Sequence, residues 1–151
     1  MLTKLSEAVS AYRIISAADG KSPKTIEWVT GSVRLFQKFL DRDPDLSSVT
    51  RNDLRKFILD LQQRPAWQGH PTVHGATRMV SKTTINTYAR GIRAFFATLE
   101  REEFIAPHDI AKARVPKAPI KQIVPFTESE LKAIFGALKW HPSLLPKKMP
   151  L

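Results

Sequence analysis

Apolar residues in this chain recur at spacings of three and four, with no convincing alternating stretch, and that restricts the fold to packed helices. The clearest instance is SKTTINTYARGIRAFFATL, residues 81–99. On a helical wheel its Ile85, Tyr88, Ala89, Ile92, Phe95, Phe96 and Leu99 fall within an arc of roughly 120°, a one-sided core stripe. Ser81 is placed to cap this helix, which should run to about Arg101.

The same period defines the rest. Leu2, Leu5, Val9, Tyr12 and Ile15 share a face of a first helix that should stop at Asp19-Gly20. Ser22 then caps a second helix with Pro23 at its tolerated first position. Its stripe is Ile26, Val29, Val33, Phe36 and Leu40, widened by Trp28, Leu35 and Phe39 as expected for a helix packed against two neighbours. Thr50 to Asp53 reads as a capping box opening a short third helix with Leu54, Phe57, Ile58 and Leu61. Residues 64–80, with two prolines and two glycines, read as a long loop.

Beyond Phe104 the character changes. Residues 107–125 carry Pro107, Pro116, Pro119 and Pro125, with Lys112, Arg114, Lys117 and Lys121 against Asp109 alone, which predicts a stiff, extended basic connector. Thr127 to Glu130 is another capping box, before a helix with Leu131, Ile134, Phe135 and Leu138 whose apolar face has little chain left to cover it. The tail, WHPSLLPKKMPL, has no pattern, and no internal repeat is found. The expected fold is all-α: a four- to five-helix bundle over residues 1–106, the connector 107–125, and one further helix within 126–151.

A chain of 151 residues can bury a core of its own. The absence of cysteine excludes disulfides, thiolate metal sites and cysteine nucleophiles, and fits a reducing compartment. No apolar run approaches the ~18 to 20 residues of a membrane span, and Glu7 interrupts a start that has no signal-peptide character, so the default expectation is a soluble, cytoplasmic protein. A net charge of +10 with a pI near 10.2 raises nucleic acid or an anionic membrane as partners, against plain solubilising charge.

Chemistry is sparse. His70 and His74 are four apart, but Pro71 and Gly75 argue against a helix there and no Glu or Cys accompanies them. His108 and His141 stand alone and are expected in solvent, and Glu102-Glu103 reads as a solvated face. There is no glycine-rich phosphate loop and no nucleophile beside a base. No catalytic residue, metal, cofactor or small-molecule substrate is therefore expected.

The basic groups are better organised. Lys82, Thr83, Asn86, Thr87, Arg90 and Arg93 lie outside the apolar arc, and Asn86, Arg90 and Arg93 form one stripe. Arg suits guanine or phosphate, Asn suits adenine, and hydroxyls suit phosphate oxygens in a DNA groove. Free N–H groups at a helix start favour phosphate as well. Ser22, Lys24 and Thr25 repeat this chemistry at the second helix. The competing reading is a solvated helix face.

In this order, SPKTIEWVTGSVRLFQKFL, VTRNDLRKFILDL, SKTTINTYARGIRAFFATL and VPKAPIKQIVPFTESELKAIFGAL resemble the phage integrase (tyrosine recombinase) family. The likeness is to its amino-terminal core-binding, SAM-like domain, from about Ser22 to Leu138. Ser81, Thr84-Ile85-Asn86 and Arg93-Ala94-Phe95-Phe96 match the family's Ser-x-x-Thr-Ile-Asn and Arg-x-Phe-Phe positions, and Pro116-Lys117, Pro125-Phe126-Thr127 and Glu130-Leu131 resemble its linker and the opening of its catalytic domain. The 64–80 loop is longer than the family's usual one.

The resemblance implies a domain that clamps one side of duplex DNA, with the second and fourth helices against the major groove and Lys117 and Lys121 on the backbone. Family members cut DNA with a tyrosine assisted by arginines, a lysine and histidines, all after the linker. Here the tyrosines are Tyr12 and Tyr88, and none of the four histidines begins His-x-x-Arg. The implied chain binds DNA without cleaving it and holds only a truncated start of the catalytic domain, from a truncated or frameshifted gene or an excised fragment. Because the family assembles as tetramers, other recombinase protomers are implied partners. The alternative is a helical protein-interaction module that self-associates or modulates an intact recombinase, using the 131–138 helix.

Overall fold

In the computed structural model, residues 3–66, 72 and 78–139 are described, and they form five α-helices, one short 3₁₀ turn and no strand. The helices are α1 (Leu5–Ala18), α2 (Pro23–Leu40), α3 (Arg51–Gln63), α4 (Lys82–Arg101) and α5 (Glu128–Lys139), with the 3₁₀ turn at Leu46–Ser48. The all-α expectation is met. The caps fall where their local chemistry puts them. Gly20 takes φ +74 just past α1, and the Ser22 hydroxyl accepts the Thr25 N–H at 3.2 Å. At α3 the Thr50 N–H donates to Asp53 at 2.8 Å while the Asp53 N–H returns to the Thr50 hydroxyl at 3.3 Å.

The chain divides into two compact units, residues 1–119 and 120–151. The core of the first is built from the predicted stripes: Leu5, Val9 and Tyr12 of α1, Val29, Val33 and Phe36 of α2, Leu54, Phe57 and Leu61 of α3, and Ile92, Phe95, Phe96 and Leu99 of α4 are buried. Leu2 lies outside the described residues. Tyr12 packs on Phe95 with ring centroids 5.4 Å apart, and Phe57 takes both Phe36 and Phe39 at 5.3 and 5.4 Å. α2 packs most extensively on α4, and also on α1 and α3, one neighbour more than its wide stripe predicts.

The α2–α4 contact is unusually close. A Cβ added to Gly91 would stand 2.6 Å from the Ser32 hydroxyl and 2.9 Å from the Ser32 Cβ. Only hydrogen at 91 and a small side chain at 32 allow the two backbones to approach this far.

Two expectations are corrected. Residues 107–115 are not a free connector: Ile110 and Ala113 are buried in the bundle core, as is Ile105 before them. His108 is not a lone solvent-facing side chain. Its ring stacks on Phe96 at 4.5 Å, its Nε2 lies 3.1 Å from the Leu46 carbonyl, and its Nδ1 accepts the Ile110 N–H at 3.2 Å. That pattern assigns the proton to Nε2, which donates to Leu46. Long-range packing overrides a local composition that reads as linker. Of the long loop, the stems pair as an isolated antiparallel bridge, Pro65 with Met79; His70 and His74 lie outside the described residues, as does His141 with the tail.

The second unit holds α5. Thr127 donates to Glu130 through its backbone N–H at 2.7 Å and its hydroxyl at 2.9 Å, and these bonds hold the Glu130 carboxyl below the usual carboxylate range. Leu131, Ile134, Phe135 and Leu138 are all exposed. Among the described residues no helix is long and apolar enough to cross a membrane.

Candidate nucleic-acid interface

The two polar helix starts are built alike. At α4 the Ser81 hydroxyl accepts the Thr84 N–H at 3.1 Å and meets the Thr84 hydroxyl at 2.9 Å, repeating the Ser22–Thr25 pair, whose hydroxyls also lie 2.9 Å apart. Each cap satisfies one first-turn N–H; ahead of it α4 keeps the Lys82 and Thr83 N–H groups, while α2 keeps only that of Lys24 because Pro23 has none, and the helix dipole favours an anion there. Lys24, Lys82, Thr83 and Arg90 are exposed, while Thr25, Asn86, Thr87 and Arg93 are half-buried.

The electrostatics follow from the sequence. No acidic residue occurs between Asp60 and Glu100, or between Asp109 and Glu128. Among the described residues none of Lys24, Lys82, Arg90, Arg93, Lys117 and Lys121 has an ion pair or a hydrogen-bonded side chain, whereas on other surfaces Lys4 pairs with Asp45 at 3.1 Å and Arg13 with Glu27 at 3.1 Å. The α2 and α4 cations are thus free for an external anion.

The structure brings only some of the expected residues together. Lys82, Thr83, Asn86, Thr87, Arg90 and Arg93 share one face of α4, as the helical spacing predicts. The α2 start is apart from them. It follows Asp19, which reaches Arg101 at the far end of α4 (3.5 Å), while the α4 start shares a cavity with Leu35 in the second half of α2. Each start lies nine residues from the Gly91–Ser32 contact, ~14 Å along its helix axis. Two separated helix starts result, not one cluster. Lys121 belongs to the second unit.

Two side chains differ from a simple groove stripe. The Asn86 amide donates to the Pro116 carbonyl, so one of its two N–H donors is committed to holding Pro116 against α4. The Thr87 hydroxyl donates back to the Thr83 carbonyl at 2.9 Å and keeps its lone pairs as acceptors. Tyr88, expected within the core stripe, is half-buried and lines a cavity of about 450 Å³ with Leu35, Leu61, Arg64, Val80 and Thr84. Tyr12 is fully buried against Phe95. Among the described residues no three His, Cys, Asp or Glu side chains gather as a metal ion requires.

Sequence reasoning passed over Gly91 and Ser32, which fix the α2–α4 crossing, and Arg51 and Arg55, which with Lys112 and Arg114 line a groove beside α3. A glycine inside a strongly periodic helix was the available signal for the first. The second joins residues some sixty positions apart, and no local pattern marks it.

No family model matches the chain, and no curated protein matches it in sequence. Its fold is similar to solved structures of lambda integrase. One is a lambda integrase tetramer bound to a Holliday junction, at 16% identity and a TM-score of 0.60, covering 94% of this chain and 37% of that one. Another is a lambda integrase dimer bound to a COC′ core site, at 16% identity and a TM-score of 0.58, covering 92% of this chain and 35% of that one. The chain therefore spans little more than a third of the length of the integrase chains it resembles.

Proposed function

We propose that this chain binds duplex DNA as the core-binding domain of a tyrosine recombinase does, with the α2 and α4 starts on the phosphates and groove. The observation that carries this reading is the set of unpaired cations, Lys24 at the α2 start and Lys82, Arg90 and Arg93 along the acid-free stretch of α4, with the two helix starts capped alike. The integrase structures of similar fold are themselves bound to DNA junction and core-site substrates, which supports the same class of partner here.

In this reading Lys24, Lys82, Arg90 and Arg93 take phosphate or base edges, and Thr83, Thr87 and Thr25 take backbone oxygens. Ser22 shapes the α2 start through its cap, and Asn86 brings Lys117 to the duplex by holding Pro116. Lys121 adds a contact from the connector. The chain binds without cutting: Tyr12 is in the core and Tyr88 faces a cavity. Fluorescence anisotropy with a duplex over a salt series tests this. Arg90→Ala with Arg93→Ala should weaken binding and flatten the plot of log affinity against log salt by about 2, at ~0.9 per phosphate, with helicity by circular dichroism unchanged. Undiminished binding by that variant would sink the assignment of this face.

A second reading rests on the exposed Leu131, Ile134, Phe135 and Leu138 of α5, an apolar stripe suited to another protein surface such as a second protomer. Salt-independent self-association without duplex affinity would favour it over DNA binding.

A further inference from the structure

Beside α3 lies a groove of about 390 Å³ whose rim is four cations: Arg51 and Arg55 from the first turns of the helix, and Lys112 and Arg114 from the segment packed against it. Its floor is apolar, from Leu54, Ile58 and Ala113. No carboxylate lines it. The neighbouring acids hold the cations loosely: Asp109 is 3.9 Å from Arg51, and Glu100 is 4.0 Å from Lys112. Arg55 spends one N–H on the Asn52 side chain at 3.0 Å, and among the described residues Arg114 has no polar partner. The Arg51 Nε is shielded from water and also without a partner.

Like charges gathered over a low-dielectric floor repel one another, and the field they focus is relieved by an anion. Two arginines present planar forks suited to oxygen pairs of a tetrahedral anion, and a lysine adds a point charge. Turning the Arg51 guanidinium toward the groove would offer its orphaned Nε–H and a terminal N–H to two oxygens of one phosphate, and only the long Asp109 contact opposes the turn. A shallower apolar groove continues from Arg55 and Arg114 to Pro116, the residue that Asn86 holds against the polar face of α4.

We propose that the α3 groove is a phosphate-binding site, and that its occupant is the sugar–phosphate backbone of nucleic acid bound at α4. The choice of occupant rests on the duplex-binding reading; the phosphate chemistry does not.

The test uses the full chain and two probes, a short DNA duplex and inorganic pyrophosphate. The readouts are the salt slope by anisotropy and the Arg51 Nε–H signal in proton–nitrogen correlation spectra. Arg55→Gln with Arg114→Gln removes two exposed cations and keeps their stems; Lys38→Gln with Lys56→Gln removes the same charge from exposed positions that do not line the groove. The expected result is a duplex-induced shift of the Arg51 signal and a salt slope lowered by roughly one to two in the groove variant but not in the control. Duplex binding with a still Arg51 signal, or with equal slope changes in both variants, overturns the groove and leaves the α4 reading standing. A wild-type chain that ignores duplex but shifts Arg51 with pyrophosphate, a shift lost in the groove variant, keeps the site, assigns it to free phosphate and removes the duplex reading. No response to either probe removes both.

Discussion

Gly91 sits mid-helix, where glycine costs about 1 kcal/mol relative to alanine. Its retention is explained by the 2.9 Å that an added Cβ would leave to the Ser32 Cβ, an atom fixed to the α2 backbone and unable to swing away. Overpacking of this kind costs about 1–3 kcal/mol and exceeds the propensity gain. Gly91→Ala should therefore lower the melting temperature by a few degrees, at ~2–4 °C per kcal/mol for a chain of this size, and adding Ser32→Gly should restore part of the loss. A melting temperature at or above wild type in the single variant would mean that α2 and α4 separate freely. Asn86 makes a different kind of contribution. Its bond to the Pro116 carbonyl spans thirty residues and fastens the end of the packed segment to the polar face of α4. Asn86→Ala should leave the helix content intact and speed amide exchange and proteolysis at residues 116–119, a local loss of about 0.5–1.5 kcal/mol.

At the scale of elements, the segment between α4 and Pro116 depends on His108. His108→Ala removes the stack on Phe96, the bond to Leu46 and the acceptor for Ile110, and should destabilise the first unit by roughly 1–3 kcal/mol, seen as an earlier thermal transition. The α5 cap carries a pH signature. The Glu130 carboxyl is held below its usual range when the cap is formed, so the unfolded helix start binds the proton more readily. The stabilisation is complete above the ordinary carboxylate value and is lost as pH falls through the lowered one. Circular dichroism should report fraying of α5 on acidification, and Glu130→Gln should abolish that dependence. These elements differ in how far the sequence discloses them. α3 was legible, with Leu54, Phe57, Ile58 and Leu61 all buried as spaced, because the pattern and the Thr50–Asp53 cap are contained within the helix. Residues 107–115 were not. Their prolines and cations signal a connector, while the burial of Ile110 and the seating of His108 depend on Phe96 and Leu46, on elements formed far away in the chain. The polar face of α4 was legible for the same local reason as α3; the diversion of Asn86 to Pro116 and the gathering of Arg51 with Arg114 were not, since each needs the tertiary fold to exist first.

For the whole molecule, a surplus of ten positive charges with acid-free stretches at α4 and after Asp109 makes any nucleic-acid affinity steeply ionic. If six or more phosphates are neutralised, affinity for duplex should fall ~10³-fold or more between about 50 and 200 mM salt, and a shallow dependence in the same titration would reduce the contact surface to a few residues. The crossing of α2 and α4 also bears on how such a chain can change over generations. Positions 32 and 91 share one small volume, so the size allowed at 91 depends on the residue at 32. A lineage that gained a methyl group at 91 before losing the side chain at 32 would pass through a less stable ancestor, whereas the reverse order first opens space and then fills it. Related chains should therefore carry their larger residue at one of these two positions and never at both.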